Sequence, residues 1–267
     1  MRSKAKNSSA LKLTSNVKPM RISAFFPCFN EEKNVSSLIQ NCDEVLRDIA
    51  VDYEIIIVDD GSTDQTGEIV QRIAQENPHV KYHRHIKNRG YGAALYTGFK
   101  KSRFEYVFFS DGDHQFEFSE IRLLVKKIGE ADLVTGYRHH RADSAVRLFN
   151  AWMWRLLVRI VFGIRITDID CAFKLFRRRT IQCIGTQNMI SRGALINTEI
   201  YARMKRLGMT VIEVPVTHYA RVSGQATGAN PKVILRALYE LARLYVRLRR
   251  EGLDIRTEKP AAEELAA

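Results

Sequence analysis

Five apolar runs that alternate with helical stretches constrain the fold of this chain more than any other feature. The runs are RISAFFP (21–27), YEIIIVDD (53–60), VKYHRH (80–85), YVFFSD (106–111) and ADLVTGYR (131–138). Helical patterns separate the first four and follow the fourth, at 32–49, 64–77, 91–102 and 118–130. Because the runs are nearly continuous in Val, Ile and Phe, we predict an α/β fold with a mostly parallel central sheet flanked by helices.

The pattern changes after residue 140. There follow an Arg/Trp-rich helix (144–163), a short segment TDIDCAFKLFRRR (167–179), a helix (197–208), a strand (210–216) and a polar loop (217–231). No internal repeat or Gly/Pro/Ser-rich linker divides the chain. We therefore predict one domain over 21–230, with a disordered basic tail (1–20) before it and an amphipathic C-terminal helix (231–250) and a polar tail (251–267) after it.

Charge and composition narrow the function classes. The chain has 267 residues, of which 45% are hydrophobic, which is enough for a large core and argues against a disordered protein. Its formal charge of +12 is concentrated in the first 21 residues and in 137–180, which indicates an anionic partner such as phosphate, nucleic acid or an anionic membrane. The four cysteines form no CxxC pair, which argues against a zinc ribbon and fits a reduced, cytosolic setting.

Polar turns follow four of the predicted strands. They read PCFNEE, DDGSTD, KNRGYG and DGDHQF. Ligands of parallel α/β sheets bind at the carboxyl ends of the strands. We therefore expect these turns to converge on one site.

Two of these turns carry paired carboxylates. Asp111 and Asp113, one glycine apart on a turn predicted to face solvent, lie within reach of one hard cation, Mg²⁺ or Mn²⁺, which would keep positions open for phosphate oxygens. An ordinary turn explains the same tripeptide. Asp59 and Asp60 can accept hydrogen bonds from a nucleobase or ribose, and a simple capped turn explains Ser62–Asp64 but not this acid pair.

Five motifs together resemble a known family. FPCFNEEKNV, VDDGSTDQT, NRGYGAALYTGF, DGDHQF and VPVTHYARVSGQATG stand in the order and spacing of the inverting glycosyltransferases of family 2. The chain is most similar to the branch that loads mannose or glucose onto dolichyl or other polyprenyl phosphates. The resemblance covers residues 21 to about 230 and implies the GT-A fold, a single Rossmann-like domain that uses a GDP- or UDP-sugar as donor.

The resemblance also implies roles for particular residues. Asp111 and Asp113 would bind the metal, and Asp59 and Asp60 would contact base and ribose. The remaining donor-site residues it implies are Pro27 and Glu31 in the nucleotide pocket, Asn88, Arg89 and Gly90 at its border, and Arg221 and Ser223 in a loop that closes on the diphosphate. The chain departs from the branch at Tyr91, where a lysine is common, and after Ser223, where GQATG replaces a Ser-Lys pair.

The acceptor determines whether a catalytic base is needed. A lipid phosphate is already an anion and needs cations instead, and Arg138 and Arg147 stand where the branch carries phosphate-binding arginines. A hydroxyl acceptor on a soluble molecule or a glycan would need a base, for which Asp168, Asp170 and Glu199 are candidates and Asp170 leads. A basic nucleic-acid-binding protein is the alternative of another class, but the acidic turns lie where nucleic acid would bind.

Two helices bear on membrane binding. The helix 144–163 is interrupted by three arginines and suits a membrane interface, or else a core helix with arginines at its edge. The helix 231–250 suits a membrane anchor or a dimer contact. We expect a peripheral enzyme on the cytoplasmic face of a membrane whose partners are a nucleotide-sugar, a polyprenyl phosphate and an anionic surface, without nucleic acid, and with a homodimer or a membrane subunit as alternatives.

Overall fold

A computed structural model describes residues 20–139, 145–191, 193, 195–219 and 231–251, except for the side chains of 145–148 and 231–236. The predicted N-terminal and C-terminal tails lie outside these residues. So do most of the loop 217–231 and, with it, Arg221 and Ser223. Arg147 lies within a helix, but its side chain is outside the description.

The described strands form a seven-stranded sheet in the order β3-β2-β1-β4-β6-β5-β7. All neighbours pair in parallel except β6, which runs antiparallel between β4 and β5. The strands are β1 (Arg21–Cys28), β2 (Asp52–Asp59), β3 (Val80–Arg84), β4 (Tyr106–Phe109), β5 (Leu133–Arg138), β6 (Lys174–Arg177) and β7 (Val211–Val216).

Helices cover both faces of the sheet. They are α1 (Val35–Ile49), α2 (Thr66–Glu76), α3 (Tyr91–Lys101), α4 (Ile121–Val125), α5 (Ala145–Phe162), α6 (Arg178–Cys183), α7 (Leu195–Arg206) and α8 (Pro231–Glu251). One core packs α1, α2 and α4 against the sheet, and the other packs α3, α5, α7 and α8 against the opposite face. The predicted α/β fold with a mostly parallel, helix-flanked sheet is confirmed.

Aromatic side chains anchor the centre of the sheet. Phe25 on β1 stacks on Phe109 of β4 with ring centroids 5.4 Å apart, and Phe99 of α3 meets both rings edge-on. All three are buried. Burying side chains of this size contributes about 1.5–3 kcal/mol each, so these strands position the turns at their carboxyl ends firmly.

The segment 167–179, to which the sequence assigned no strand, contains β6. This four-residue strand begins with a lysine and ends with an arginine, so it lacks the continuous apolar run of β4, which is equally short. Its antiparallel place between β4 and β5 is set by tertiary pairing.

The predicted helix 118–130 is shorter than expected. A 3₁₀ turn, Phe118–Glu120, leads into α4, which ends at Val125. The Arg177 guanidinium donates to the carbonyl oxygens of Ile128, Gly129 and Ala131 at 2.6–3.2 Å. These carbonyls are therefore bonded to a side chain of β6 instead of to a continued helix.

The long helices α5 and α8 each bury one side. Val158 of α5 and Leu241, Leu244 and Leu248 of α8 enter the core that they share. Among the helices that the structure describes, none is long and apolar enough to cross a membrane.

Candidate active site

Direct hydrogen bonds join the turns after β1 and β2. Asn30 takes a left-handed conformation (φ 58°), its amide donates to Ser62 Oγ (3.0 Å), and its side-chain oxygen accepts from the Thr63 amide (2.9 Å). The Glu31 amide donates to Thr66 Oγ1 (2.8 Å). The two turns therefore form one rigid wall of the site.

Asp59 is fully buried at the end of β2. Its Oδ1 accepts from the Ser62 amide (2.7 Å), and its Oδ2 accepts from the Tyr82 hydroxyl (2.7 Å) and lies 3.5 Å from Arg84 Nε. Burial and the negative charge of Asp59 raise the pKa of the Tyr82 phenol. The contact of Asp59 with base or ribose stays a prediction; its observed bonds hold the turn after β2.

Asp60 organises the loop before α3. Its Oδ1 accepts from the Arg89 amide (3.0 Å) and lies 2.6 Å from His85 Nδ1, while its Oδ2 accepts from the Gly90 amide (2.8 Å). Asn88 Oδ1 also accepts from the Gly90 amide (3.1 Å). The resemblance implied that Asp60 contacts the nucleotide and that Asn88–Gly90 border the nucleotide pocket. In the structure, the Asp60 carboxylate bonds to the amides of Arg89 and Gly90 and so holds this loop.

The turn after β4 packs tightly onto the end of β1. A Cβ on Gly112 would lie 2.7 Å from Cys28 Sγ and 3.3 Å from the Pro27 carbonyl oxygen, so only glycine fits. Asp113 is buried at 7% exposure, and its Oδ1 accepts from the Gln115 amide (3.2 Å). The expectation of a solvent-facing turn was wrong for Asp113, because the close approach of Gly112 draws the following residue inward.

The carboxylates of three turns act electrostatically on the buried thiol of Cys28. Burial raises the pKa of this thiol well above its ordinary value, and the negative charges of Glu31, Asp59, Asp111 and Asp113 raise it further. The predicted convergence of these turns is therefore found in the structure. Such a concentration of negative charge favours a cationic ligand.

Tyr91, which stands where a lysine is common, contacts this acidic group. Its hydroxyl is hydrogen-bonded to the Asp111 carboxylate, and burial together with Asp111, Asp113 and Asp170 raises its pKa. The phenol therefore donates a hydrogen bond to Asp111 in place of a lysine contact. It also marks the point where Asp170 approaches the carboxylate turn.

Arg138 and Asp168 form a two-pronged ion pair on the other side of the site. Arg138 Nε and Nη2 lie 2.6 and 2.7 Å from Asp168 Oδ2 and Oδ1, and both side chains are largely buried. Burial alone would lower the pKa of Arg138, but Asp168 outweighs it and raises this pKa. Asp168 is thus engaged in holding Arg138, which removes it as a candidate base.

A cavity of about 190 Å³ opens beside this ion pair. Asp170 lines it and is exposed, in contrast to buried Asp168. The other lining residues are Arg138, Ala151, Trp152, Trp154, Arg155, Thr167, Asp168 and Ile169. Cations and one exposed carboxylate therefore face the same space.

Lys174 is a residue that sequence reasoning did not single out. It is fully buried on β6, and its ammonium donates to the carbonyl of Cys171 and to Asn197 Oδ1 (3.0 Å). Burial lowers its pKa, while Cys171, Asp168, Asp170 and Asp111 act in the opposite direction. A lysine inside a short apolar run, KLF, was the available signal. This cation therefore lies within electrostatic reach of Asp168, Asp170 and Asp111.

Glu199 and Glu31 have roles close to their own elements. Glu199 is fully buried, accepts from the backbone amides of Ile190 and Ser191 and pairs with Arg203 Nε (3.0 Å), so it stabilises α7 instead of serving as a base. Glu31 Oε2 accepts from Asn34 Nδ2 at 2.6 Å.

The donor set suits a hard divalent cation. No group of three or more His, Cys, Asp or Glu residues that could hold a metal occurs in the part of the chain that the structure describes. Asp111 and Asp113 supply carboxylate oxygens on one turn, and Mg²⁺ commonly binds through one or two carboxylates with the remaining positions filled by water and substrate phosphates. These residues fit such an ion when a diphosphate completes its coordination.

Comparison with known sequences identifies the family of the chain. Residues 23–185 match the family described as Glycosyl transferase family 2. An undecaprenyl-phosphate mannosyltransferase of Micrococcus luteus is 26% identical, over 89% of this chain and 99% of that protein. An undecaprenyl-phosphate 4-deoxy-4-formamido-L-arabinose transferase of Pseudomonas fluorescens is 28% identical over 82% of this chain, which spans only 63% of that longer protein.

Solved structures share the fold. Glucosyl-3-phosphoglycerate synthase from Mycobacterium tuberculosis, in complex with Mn²⁺, UDP and glucosyl-3-phosphoglycerate, has a TM-score of 0.61 and 20% identity, over 88% of this chain and 78% of that one. The same enzyme with Mg²⁺ and UDP has a TM-score of 0.62 and 21% identity, over 77% and 73%. At 20–21% identity, this similarity shows that the fold is shared.

Proposed function

The chain belongs to glycosyl transferase family 2, and on that premise we propose that it transfers a sugar, with inversion, from a GDP- or UDP-sugar to a polyprenyl phosphate at a membrane surface. The observation that carries this proposal is the Arg138–Asp168 pair in the cavity beside Asp170. It fixes a guanidinium group in the same cavity as Asp170, and guanidinium groups bind phosphate oxygens well.

On the donor side, Asp111 and Asp113 would hold Mg²⁺ or Mn²⁺. The ion, when bound, neutralises charge that develops on the departing diphosphate. Tyr91 orients Asp111, and the Gln115 amide orients Asp113. Asp59, Asp60, Pro27, Glu31 and the Asn88–Gly90 loop would form the nucleotide pocket, with Arg221 and Ser223 closing on it; the metal and UDP in the solved relatives support this arrangement.

On the acceptor side, a phosphate oxygen attacks the anomeric carbon. The new C–O bond forms as the bond to the diphosphate breaks, and the nucleoside diphosphate leaves with the electron pair. The attacking phosphate is already ionised, so no base is needed. Asp168 engages Nε and Nη2 of Arg138, while Nη1 donates to no residue that the structure describes and can bind the phosphate. Arg147 is proposed as a second phosphate ligand.

The names of the relatives support a polyprenyl acceptor. The Micrococcus luteus and Pseudomonas fluorescens proteins are both named for undecaprenyl phosphate, and this chain covers nearly the whole of the former. Their sugars differ, so the sugar of this enzyme is not assigned by them.

The surface of α5 supports action at a membrane. Phe149, Trp152, Met153, Leu156 and Ile160 are exposed at 37–72% and recur at helical spacing on one face. Trp and aliphatic side chains beside arginines are typical of interfacial helices. We infer a peripheral enzyme on the cytoplasmic face.

A hydroxyl acceptor is the second candidate. Asp170 is exposed in the cavity and could take a proton from a hydroxyl, and the glucosyl-3-phosphoglycerate synthase that shares the fold is solved with glucosyl-3-phosphoglycerate, which is not a lipid. In that case Arg138 would bind a phosphate elsewhere on the acceptor.

The experiment that tests the proposal compares three acceptors. The purified chain is given GDP- or UDP-sugars with Mn²⁺ and a short polyprenyl phosphate, the polyprenol of equal length, or 3-phosphoglycerate. We expect a labelled product only with the polyprenyl phosphate. Transfer to the polyprenol or to phosphoglycerate at an equal or higher rate would favour the hydroxyl mechanism with Asp170 as base.

A further inference from the structure

A second cavity, of about 330 Å³, lies along α5. It is formed by α5 and the loop that follows it. Its lining residues are Trp152, Arg155, Leu156, Arg159, Ile164, Arg165, Ile166 and Thr167. It adjoins the acceptor cavity, because Trp152, Arg155 and Thr167 line both.

The charges of this cavity are all positive. Arg155, Arg159 and Arg165 line it, and no carboxylate does. Arg155 Nη1 donates to the Thr167 carbonyl (3.0 Å), whereas the guanidinium groups of Arg159 and Arg165 pair with none of the described residues. Guanidinium groups bind phosphate oxygens in paired hydrogen bonds. The cavity is therefore suited to an anion of phosphate type.

The walls between the arginines are apolar. Leu156, Ile164 and Ile166 line the cavity, and half-exposed Trp152 belongs both to its lining and to the exposed apolar face of α5. Apolar walls contribute nothing to the binding of a free phosphate ion. A phosphate attached to an apolar tail would bury the tail against them while the head meets the arginines.

We propose that this cavity binds the phosphate headgroup of an anionic membrane phospholipid. The inference rests on the proposed function at a membrane surface and adds a site distinct from the acceptor phosphate at Arg138. The isoprenoid chain of the acceptor is the other apolar group within reach, but it carries no charge that could pair with the three guanidinium groups. Because both cavities share Trp152 and Arg155, a bound headgroup orients the mouth of the acceptor cavity toward the lipid.

The test removes Arg159 and Arg165 and keeps Arg155, which belongs to both cavities. The variant Arg159→Gln/Arg165→Gln is compared with Arg72→Gln/Lys126→Gln, which removes two exposed charges from the other layer of the fold. Binding is measured by flotation with phosphatidylcholine vesicles, with and without phosphatidylglycerol. Since each basic residue near such a surface is worth about 1 kcal/mol, we expect roughly a 30-fold loss with phosphatidylglycerol for the first variant and little change for the second.

A lipid-free measurement separates this inference from the proposed function. Transfer to a short polyprenyl phosphate in neutral detergent should stay within about twofold of wild type. A large loss there would place Arg159 and Arg165 in the acceptor site and overturn the proposal. Equal losses of vesicle binding in both variants would show only a general attraction between basic residues and the anionic surface, and would overturn the proposed headgroup site. Unchanged vesicle binding in Arg159→Gln/Arg165→Gln would overturn it too.

A soluble probe distinguishes the source of the phosphate. Glycerol 3-phosphate is titrated into the wild-type protein without vesicles and followed by calorimetry. We expect no saturable binding, because the apolar walls lack their ligand. Saturable binding that Arg159→Gln/Arg165→Gln abolishes would assign the cavity to a soluble phosphate compound instead of a membrane lipid.

Discussion

The two halves of the sheet differ in the sign of their prominent charges. In the half built from β1 to β4, carboxylates at the strand ends are held by backbone amides, as Asp60 is by Arg89 and Gly90. In the half built from β5 to β7 with α5, the prominent charges are arginines, and one of them is held by a single carboxylate, Asp168. The first half suits a metal and a nucleotide, and the second suits an anionic acceptor.

The two halves are also stabilised by different contacts. Backbone amides donate to Asp59, Asp60 and Asp113 in the donor half, in addition to side chains such as Tyr82 and His85. Single side-chain changes there should therefore alter chemistry more than folding. The acceptor half depends on buried side-chain ions, Arg138 with Asp168 and Arg203 with Glu199. Removing one partner of a buried ion pair leaves a charge uncompensated, so changes there should affect stability as well.

The largest effect is expected for Asp113→Asn in the donor half. The substitution removes a proposed metal ligand, and the loss of about 4 kcal/mol of transition-state stabilisation lowers transfer by ~10³-fold. Stability should fall by only about 1 kcal/mol, because the bond to the Gln115 amide weakens. Initial rates at saturating Mn²⁺ and urea unfolding measure the two quantities. Wild-type transfer in this variant would contradict the metal assignment.

A smaller effect on the reaction and a larger one on folding are expected for Asp168→Asn. Arg138 loses its partner and moves, so transfer falls by about 10²-fold while slow hydrolysis of the donor persists. The free energy of unfolding falls by about 3 kcal/mol, since a buried ion pair is broken. Asp132→Asn, which loses the more exposed pair with Arg179, is the matched control. Equal loss of transfer in both variants would show that the effect comes from general destabilisation and not from the displacement of Arg138.

Tyr91→Phe should have a modest effect confined to the donor half. It removes one hydrogen bond to Asp111, worth about 1 kcal/mol, and should lower kcat/KM by roughly fivefold. The Mn²⁺ concentration for half-maximal rate should rise in parallel. A changed KM for the acceptor at unchanged Mn²⁺ dependence would instead assign Tyr91 to the acceptor side.

The smallest effect concerns Lys174 and pH. Burial lowers its pKa in the folded protein, so between that value and the ordinary 10.5 the unfolded chain binds more protons than the folded one. This group therefore makes the protein more stable as the pH rises through that window. Urea unfolding of wild type and Lys174→Met at pH 7 and pH 10 should show a relative gain for wild type at the higher pH. An equal change in the free energy of unfolding between pH 7 and pH 10 for wild type and Lys174→Met would contradict the lowered pKa.

Much of the donor half could be predicted because its signals are local. Each turn follows a long apolar strand, and parallel strands bring their ends to one edge, so the approach of Glu31, Asp59, Asp111 and Asp113 to Cys28 follows from the pattern. What the pattern does not contain is the direction of each carboxylate. Asp60 bonds to amides of the next loop, a contact set by tertiary packing.

The acceptor half was less predictable because its key contacts join distant segments. β6 has charged residues at both ends and no continuous apolar run, and its Lys174 reads as a surface residue until its neighbours are known. Arg177 shortens the helix 118–130 from about 50 positions away. Asp168 was one of three candidate bases, and its burial and its 2.6 Å contact with Arg138 separate it from exposed Asp170.

The most direct test of the division between the halves is Arg138→Ala, assayed for two reactions of the same enzyme. Transfer to a short polyprenyl phosphate and hydrolysis of the donor without acceptor are measured side by side, with Arg138→Lys as a variant that keeps the charge but not the paired bonds. We predict that Arg138→Ala lowers transfer by ~10²-fold or more with near-normal hydrolysis, and that lysine restores it only in part. Equal losses in both reactions would place Arg138 in the donor site and contradict the account.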